Sequence, residues 1–110
     1  MDIWRLYTND IELGVTAVGG QLDHVTFETP AGPVVPLHAA PWCHEPLPAD
    51  VPPMLRLLRG DFFCAPFGDS DVLKDETRPH GATANAAWQV VRHEHTELDC
   101  QLEKTVCGAT

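Results

Sequence analysis

The sequence predicts an all-β fold of antiparallel strands, on three observations. Short segments rich in branched and aromatic residues alternate with turn-forming clusters. Near the end of the chain, Leu98, Cys100 and Leu102 alternate with Glu97, Asp99, Gln101 and Glu103, the period-two signature of a strand with one buried face. Finally, six prolines fall in the eighteen residues from Pro36 to Pro53, removing backbone donors that a helix or central strand requires.

Ile3 to Tyr7 and Ile11 to Val18 read as strands, separated by the turn formers Thr8, Asn9 and Asp10 and closed by Gly19 and Gly20. Gln21 to Thr29 reads as a third strand, with Val25 and Phe27 on one face and His24, Thr26 and Glu28 on the other, ending at Pro30-Ala31-Gly32-Pro33. The proline-rich excursion then carries Leu37, Trp42, Leu47, Val51 and Met54, apolar side chains that predict packing against the body, with Trp42 as a buried anchor. Leu55 to Leu58 leads into GDFFCAPFG, Gly60 to Gly68, where glycines bracket a dense apolar group split by Pro66. This suits a strand end turning into a site-forming loop. Asp69 to Glu76 is an acidic, solvated turn that lacks the glycine and closing glutamate of an EF-hand loop. Between 82 and 91, Ala82, Ala84, Ala86 and Ala87 favour helix while Trp88, Val90 and Val91 favour strand. A loop followed by a strand from about Trp88 is expected. The last strand has no partner downstream, so residues 1–110 read as one incomplete domain with open sheet edges available for self-association.

Bulk properties narrow the function. Seven basic residues against sixteen acidic ones give a formal charge of −9, which repels a nucleic-acid backbone or an anionic membrane surface. No apolar run approaches the ~20 residues of a membrane span, and MDIWRLYTND lacks the basic start and apolar core of a secretion signal, so a cytoplasmic location is expected. Cys43, Cys64, Cys100 and Cys107 form no CxxC pair and read as small hydrophobes in a reducing compartment.

Three groups of residues carry possible chemistry. His93 and His95, alternate residues on a strand, point to one side and suit a metal ion in a small β-barrel; a polar strand face is the simpler reading of the pair. Cys43, His44 and Glu45 offer thiol, imidazole and carboxylate, but adjacent side chains rarely meet as a nucleophile pair. The third group joins RPHGATANAAW to GDFFCAPFG. A sugar pocket combines an aromatic platform with fixed hydrogen-bonding groups, because a pyranose presents apolar C–H faces and a rim of hydroxyls. Phe62, Phe63, Phe67 and Trp88 would supply the platform, and Asp61, His80 and Asn85 the rim.

GGQLDHVTF, the Pro66-Phe67-Gly68 turn, and His80-Gly81 followed by Trp88 together resemble the N-terminal part of the aldose 1-epimerase family, the galactose-mutarotase-like proteins. The resemblance rests on the order and separation of short motifs over nearly the whole chain. It implies the N-terminal portion of an antiparallel β-supersandwich, a small-molecule sugar as partner, no cofactor, and interconversion of sugar anomers by the complete domain. Opening the hemiacetal ring takes a base at the anomeric hydroxyl and an acid at the ring oxygen. His80 matches the family histidine that binds substrate hydroxyls, and the implied substrate-binding set is His80, Phe67, Asn85, Trp88 and Asp61. The family's acid, a second histidine, and its base, a glutamate, lie later than the region matched here, so no catalytic residue is assigned and the isolated chain is expected to be inactive. The arginine that often follows the Pro-Phe turn is missing from Gly68-Asp69-Ser70-Asp71, which points away from galactose itself and toward epimerase-like relatives with a different or modified sugar. A non-catalytic carbohydrate-binding or interaction module and the metal-binding β-barrel are the alternatives.

Overall fold

In the computed structural model, which describes residues 2–65 and 80–103, the chain is mostly β. Strands β1 (Ile3–Tyr7), β2 (Ile11–Thr16), β3 (Leu22–Thr29) and β4 (Gly32–Val34) form an antiparallel sheet in that spatial order. The Thr8 hydroxyl makes the first turn by accepting from the backbone N–H groups of Asp10 and Ile11, at 3.3 and 3.1 Å. Trp4 pairs with Val15 and Leu6 with Leu13, so strand alternation gathers Trp4, Leu6, Leu13, Val15 and Leu22 on one face. The opposite face carries Arg5, Gly14, Thr16 and Asp23.

The proline-rich excursion is irregular, as expected, apart from a 3-10 turn at Pro41–His44 and the short helix α1 (Pro53–Arg56). Met54 is fully buried and Leu37, Leu47 and Val51 are half-buried, which ties the excursion to the body. Trp42 departs from expectation: it is 37% exposed and anchors the loop by a hydrogen bond, its indole N–H donating to the Leu55 carbonyl at 2.7 Å. Arg56 adds a second clamp through the Val51, Leu47 and Pro48 carbonyls. The chain then returns to the sheet. Arg59 bridges to Ala39, and the Leu22 N–H donates to the Asp61 carbonyl at 3.0 Å, so residues 59–61 lie beside the start of β3.

Residues 81–85 correct a second expectation. A loop was predicted there; instead helix α2 (Gly81–Asn85) forms, because the alanine-rich stretch gains tertiary partners, Asn85 above all, that favour one helical turn. Strand β5 (Gln89–His93) follows and pairs antiparallel with β6 (Leu98–Gln101), where Leu98 and Cys100 are half-buried and Asp99 and Gln101 exposed, as the period-two pattern predicts. This hairpin docks on the free edge of β1. The Tyr7 N–H donates to the His95 carbonyl at 2.9 Å, and the His93 imidazole Nε2 donates to the Arg5 carbonyl at 2.8 Å. Among the described residues, no helix is long and apolar enough to cross a membrane.

The interior is unusually polar. The buried residues include Val25, Ala40, Met54 and Ala84, but also Thr16, Gln21, Asp23, Arg59 and Thr83. Meanwhile Val34, Val35, Phe63 and Val91 are each about half exposed or more. The radius of gyration, 15.4 Å, exceeds the roughly 13 Å of a compact domain of this length.

Candidate functional site

The Gly19-Gly20 turn is the foundation of the site. Both glycines have positive φ, +81° and +60°, and a Cβ on Gly19 would stand 2.6 Å from the Ala84 carbonyl oxygen, while the Trp88 indole lies against Gly20. Thus the turn is closed by the helix and tryptophan that arrive more than sixty residues later in the chain. Gln21, fully buried, holds the turn from the other side. Its side-chain amide donates to the Met54 carbonyl at 3.2 Å, its Oε1 accepts from the Arg59 N–H at 2.9 Å, and its backbone N–H donates to the Thr16 hydroxyl at 3.0 Å. One side chain therefore fixes α1 and the 59–61 segment against β2 and β3.

Thr83 does the same for the second half of the site. Its hydroxyl donates to the Phe63 carbonyl at 3.0 Å and accepts from the Ala65 N–H at 2.9 Å, while its own carbonyl accepts from the Trp88 indole N–H at 3.0 Å. The result is a fixed relation between residues 63–65, α2 and Trp88. His80 stands at the head of α2 in the left-handed region, φ +67° and ψ +9°, a conformation uncommon for a residue other than glycine. Its ring meets Phe62 edge to face, with centroids 5.4 Å apart, and its Nδ1 lies 3.6 Å from the Cys64 sulfur. Burial first, and then the negative charge of Asp61, hold the Cys64 thiol above the usual cysteine range. At neutral pH Cys64 is accordingly a thiol beside His80, not an activated thiolate.

Trp4, Leu6, Leu13, Val15 and Leu22 from the sheet face Phe63, Trp88, Leu98 and Cys100 across a cavity of about 410 Å³ floored by Gly19 and Gly20. Its lining is largely apolar, with two aromatic side chains, Phe63 and Trp88, from the segment predicted to form a platform. Phe63 is 62% exposed, so its ring is available to a ligand.

The structure distributes the predicted site residues unevenly. His80, Asp61 and Phe62 come together around Cys64, and Trp88 joins Phe63 at the cavity. Asp61 is exposed, and its Oδ1 accepts from the Phe62 N–H at 2.9 Å. Asn85 has structural work: its amide donates to the Gly81 carbonyl at 2.8 Å, and its Oδ1 accepts from the Met54 N–H at 3.3 Å, joining α2 to α1. Phe67, the Pro66-Phe67-Gly68 turn, the acidic loop and Cys107 lie outside the described residues. His93 and His95 serve the β1 edge, the first through the Arg5 carbonyl and the second by an edge-to-face contact with Tyr7, centroids 4.0 Å apart. Among the described residues, no group of three or more His, Cys, Asp or Glu is arranged to hold a metal ion.

Sequence reasoning missed Gln21, Thr83, Asp23 and Arg59. The only available signal was the polar pair Gln21 and Asp23 inside GGQLDHVTF, which is otherwise a strand. Comparison with protein-family models, with curated proteins and with solved structures finds no match.

Proposed function

We propose that this chain is a carbohydrate-binding, aldose 1-epimerase-like protein, corresponding to the N-terminal part of a galactose-mutarotase-like β-sandwich. The observation that carries the reading is the aromatic-lined cavity over the Gly19-Gly20 turn, with Thr83 tying Phe63 and Trp88 to the turn that presents His80. A pyranose ring stacks its C–H face on Trp88 or Phe63, a geometry that apolar and aromatic walls favour and that bare hydroxyl recognition does not require. His80 meets a ring hydroxyl through Nε2, since Nδ1 faces Cys64. Asp61 offers a second acceptor from the same segment. Asn85 acts indirectly, by fixing α2. The exposed Val34, Val35, Val90 and Val91 support further strands packing over β4 and β5 in the complete sandwich.

No acid and base pair is assigned, so the proposed activity of these residues is binding without turnover. Titration of the chain with glucose and with galactose, followed by tryptophan fluorescence, tests it. Saturable quenching is expected, and His80→Ala weakens the affinity about tenfold, the equivalent of one good hydrogen bond, with an unchanged melting temperature. Equal affinity in the wild type and His80→Ala would remove His80 from the site.

A further inference from the structure

A second pocket, about 260 Å³, adjoins the first at Leu22 and is lined also by His24, Val35, Leu37, His38, Ala39 and Arg59. Among the described residues its lining contains His24, His38 and Arg59 and no acid, in a chain whose formal charge is −9. The local balance is equally unusual. The Asp23 carboxylate, 1% exposed, faces two permanent cations: Arg59 at 2.6 Å on one oxygen and Arg5 at 3.0 Å on the other. His24 Nδ1 donates to the first of these oxygens at 2.8 Å. One negative charge therefore serves two guanidiniums, and Arg59, 4% exposed, shares its counter-ion rather than owning it.

Arg59 is also incompletely bonded. Its Nε donates to the Leu57 carbonyl at 2.8 Å and its Nη1 to Asp23, but Nη2 is buried and has no acceptor among the described residues. A buried guanidinium nitrogen without an acceptor is costly, and natural sites supply one. Nη2 is closed to solvent, so an acceptor reaches it only when a neighbouring side chain shifts. His24 shares the Asp23 oxygen with Arg59, and its side chain is 63% exposed, which leaves it room to shift.

We infer that this pocket binds a small oxyanion, a phosphate or carboxylate group, whose oxygens meet Arg59 and the imidazoles of His24 and His38. A planar guanidinium matches either group, and the surrounding Leu22, Val35, Leu37 and Ala39 accept a short carbon skeleton attached to it. The inference stands apart from sugar binding at the neighbouring cavity, and its test uses different ligands and different residues.

The full chain is titrated with inorganic phosphate, acetate and gluconate, each against sodium chloride at equal ionic strength, by thermal melting and by ¹H–¹⁵N NMR. Phosphate or a carboxylate is expected to raise the melting temperature by several degrees at saturation. The amide signals of His24, His38 and Arg59 should shift. A response to phosphate alone assigns the oxyanion as phosphate; a response to gluconate and acetate assigns a carboxylate. Because Arg59 also holds Asp23, the variant used is His38→Ala, which touches no part of that ion pair. It should melt with the wild type in chloride and bind about tenfold more weakly. The inference is overturned if none of the three anions exceeds chloride, if the shifts fall on other residues, or if His38→Ala binds as tightly as the wild type.

Discussion

Replacing Asp23 with asparagine is expected to destabilise the fold by about 3 kcal/mol, because removing one partner of a buried ion pair strands the other. The stranded partner is Arg59, whose guanidinium is 4% exposed and, among the described residues, already lacks an acceptor at Nη2. Against a total stability of roughly 5–15 kcal/mol for an ordinary domain, such a loss is large. Urea unfolding measures it, as a lower midpoint at unchanged slope. Gly14 belongs to the same arrangement: a Cβ there would stand 2.8 Å from Arg5 Nη1, so the missing side chain is what lets Arg5 cross β2 to reach Asp23.

The same substitution has a pH signature. Burial pushes the Asp23 carboxyl up, but the hydrogen bonds from Arg59 and His24, with the charges of both, outweigh it and hold the group below its ordinary value of 3.8. A depressed folded-state value means that the unfolded chain takes up the proton first as pH falls. The contribution of Asp23 is therefore complete at neutral pH, begins to fall as pH drops toward 3.8, and is lost through the lower folded-state value. The difference in stability between the wild type and Asp23→Asn should shrink across that acid window.

Gly60→Ala is expected to cost at least about 3 kcal/mol, combining a left-handed backbone that disfavours a side chain with a clash against fixed backbone. Gly60 has φ +57°, and a Cβ built there overlaps the Leu22 carbonyl oxygen and lies 2.9 Å from the carbonyl carbon. The neighbouring ladder cannot yield cheaply, since the Gly60 N–H donates to the His38 carbonyl at 2.8 Å and Asp61 accepts from Leu22. Gly32→Ala is the control. Gly32 also has positive φ, +113°, but a Cβ there meets nothing within 4 Å, so only the backbone penalty applies. Paired urea unfolding of the two variants measures the two costs, of which that at Gly32 is backbone strain alone. Gly60→Ala should also weaken both pockets, because the 59–61 segment carries Arg59 to one and leads directly into Phe63 at the other.

The strands were legible wherever local pattern decided the structure. Leu98 to Gln101 shows its buried and exposed faces in the alternation itself, and the Thr8, Gly19 and Gly20 turns follow from residue chemistry alone. The polar interior was not legible, because its bonds join residues far apart: Asp23 to Arg59 across 36 positions, Gln21 to the Arg59 N–H across 38. Local propensity cannot reveal that a glutamine in a strand is buried or what it holds. Asn85 illustrates the same limit from the other side. As an amide in a polar stretch it reads as a ligand, but its reach to Met54, 31 residues away, makes it a brace between two helices. His80 lay between these extremes. A histidine set between proline and glycine marks a turn, and the structure gives that turn a left-handed φ and an aromatic neighbour, Phe62.

The central claim, that a sugar occupies the cavity between the sheet and Trp88, is tested most directly by ¹H–¹⁵N NMR of the labelled chain as glucose or galactose is added. The account predicts saturable shifts of the Trp88 indole N–H and of the Gly19, Gly20 and His80 amides, with the His93 and His95 amides unmoved. Spectra that stay unchanged with both sugars, or shifts confined to residues away from this cavity, would contradict it.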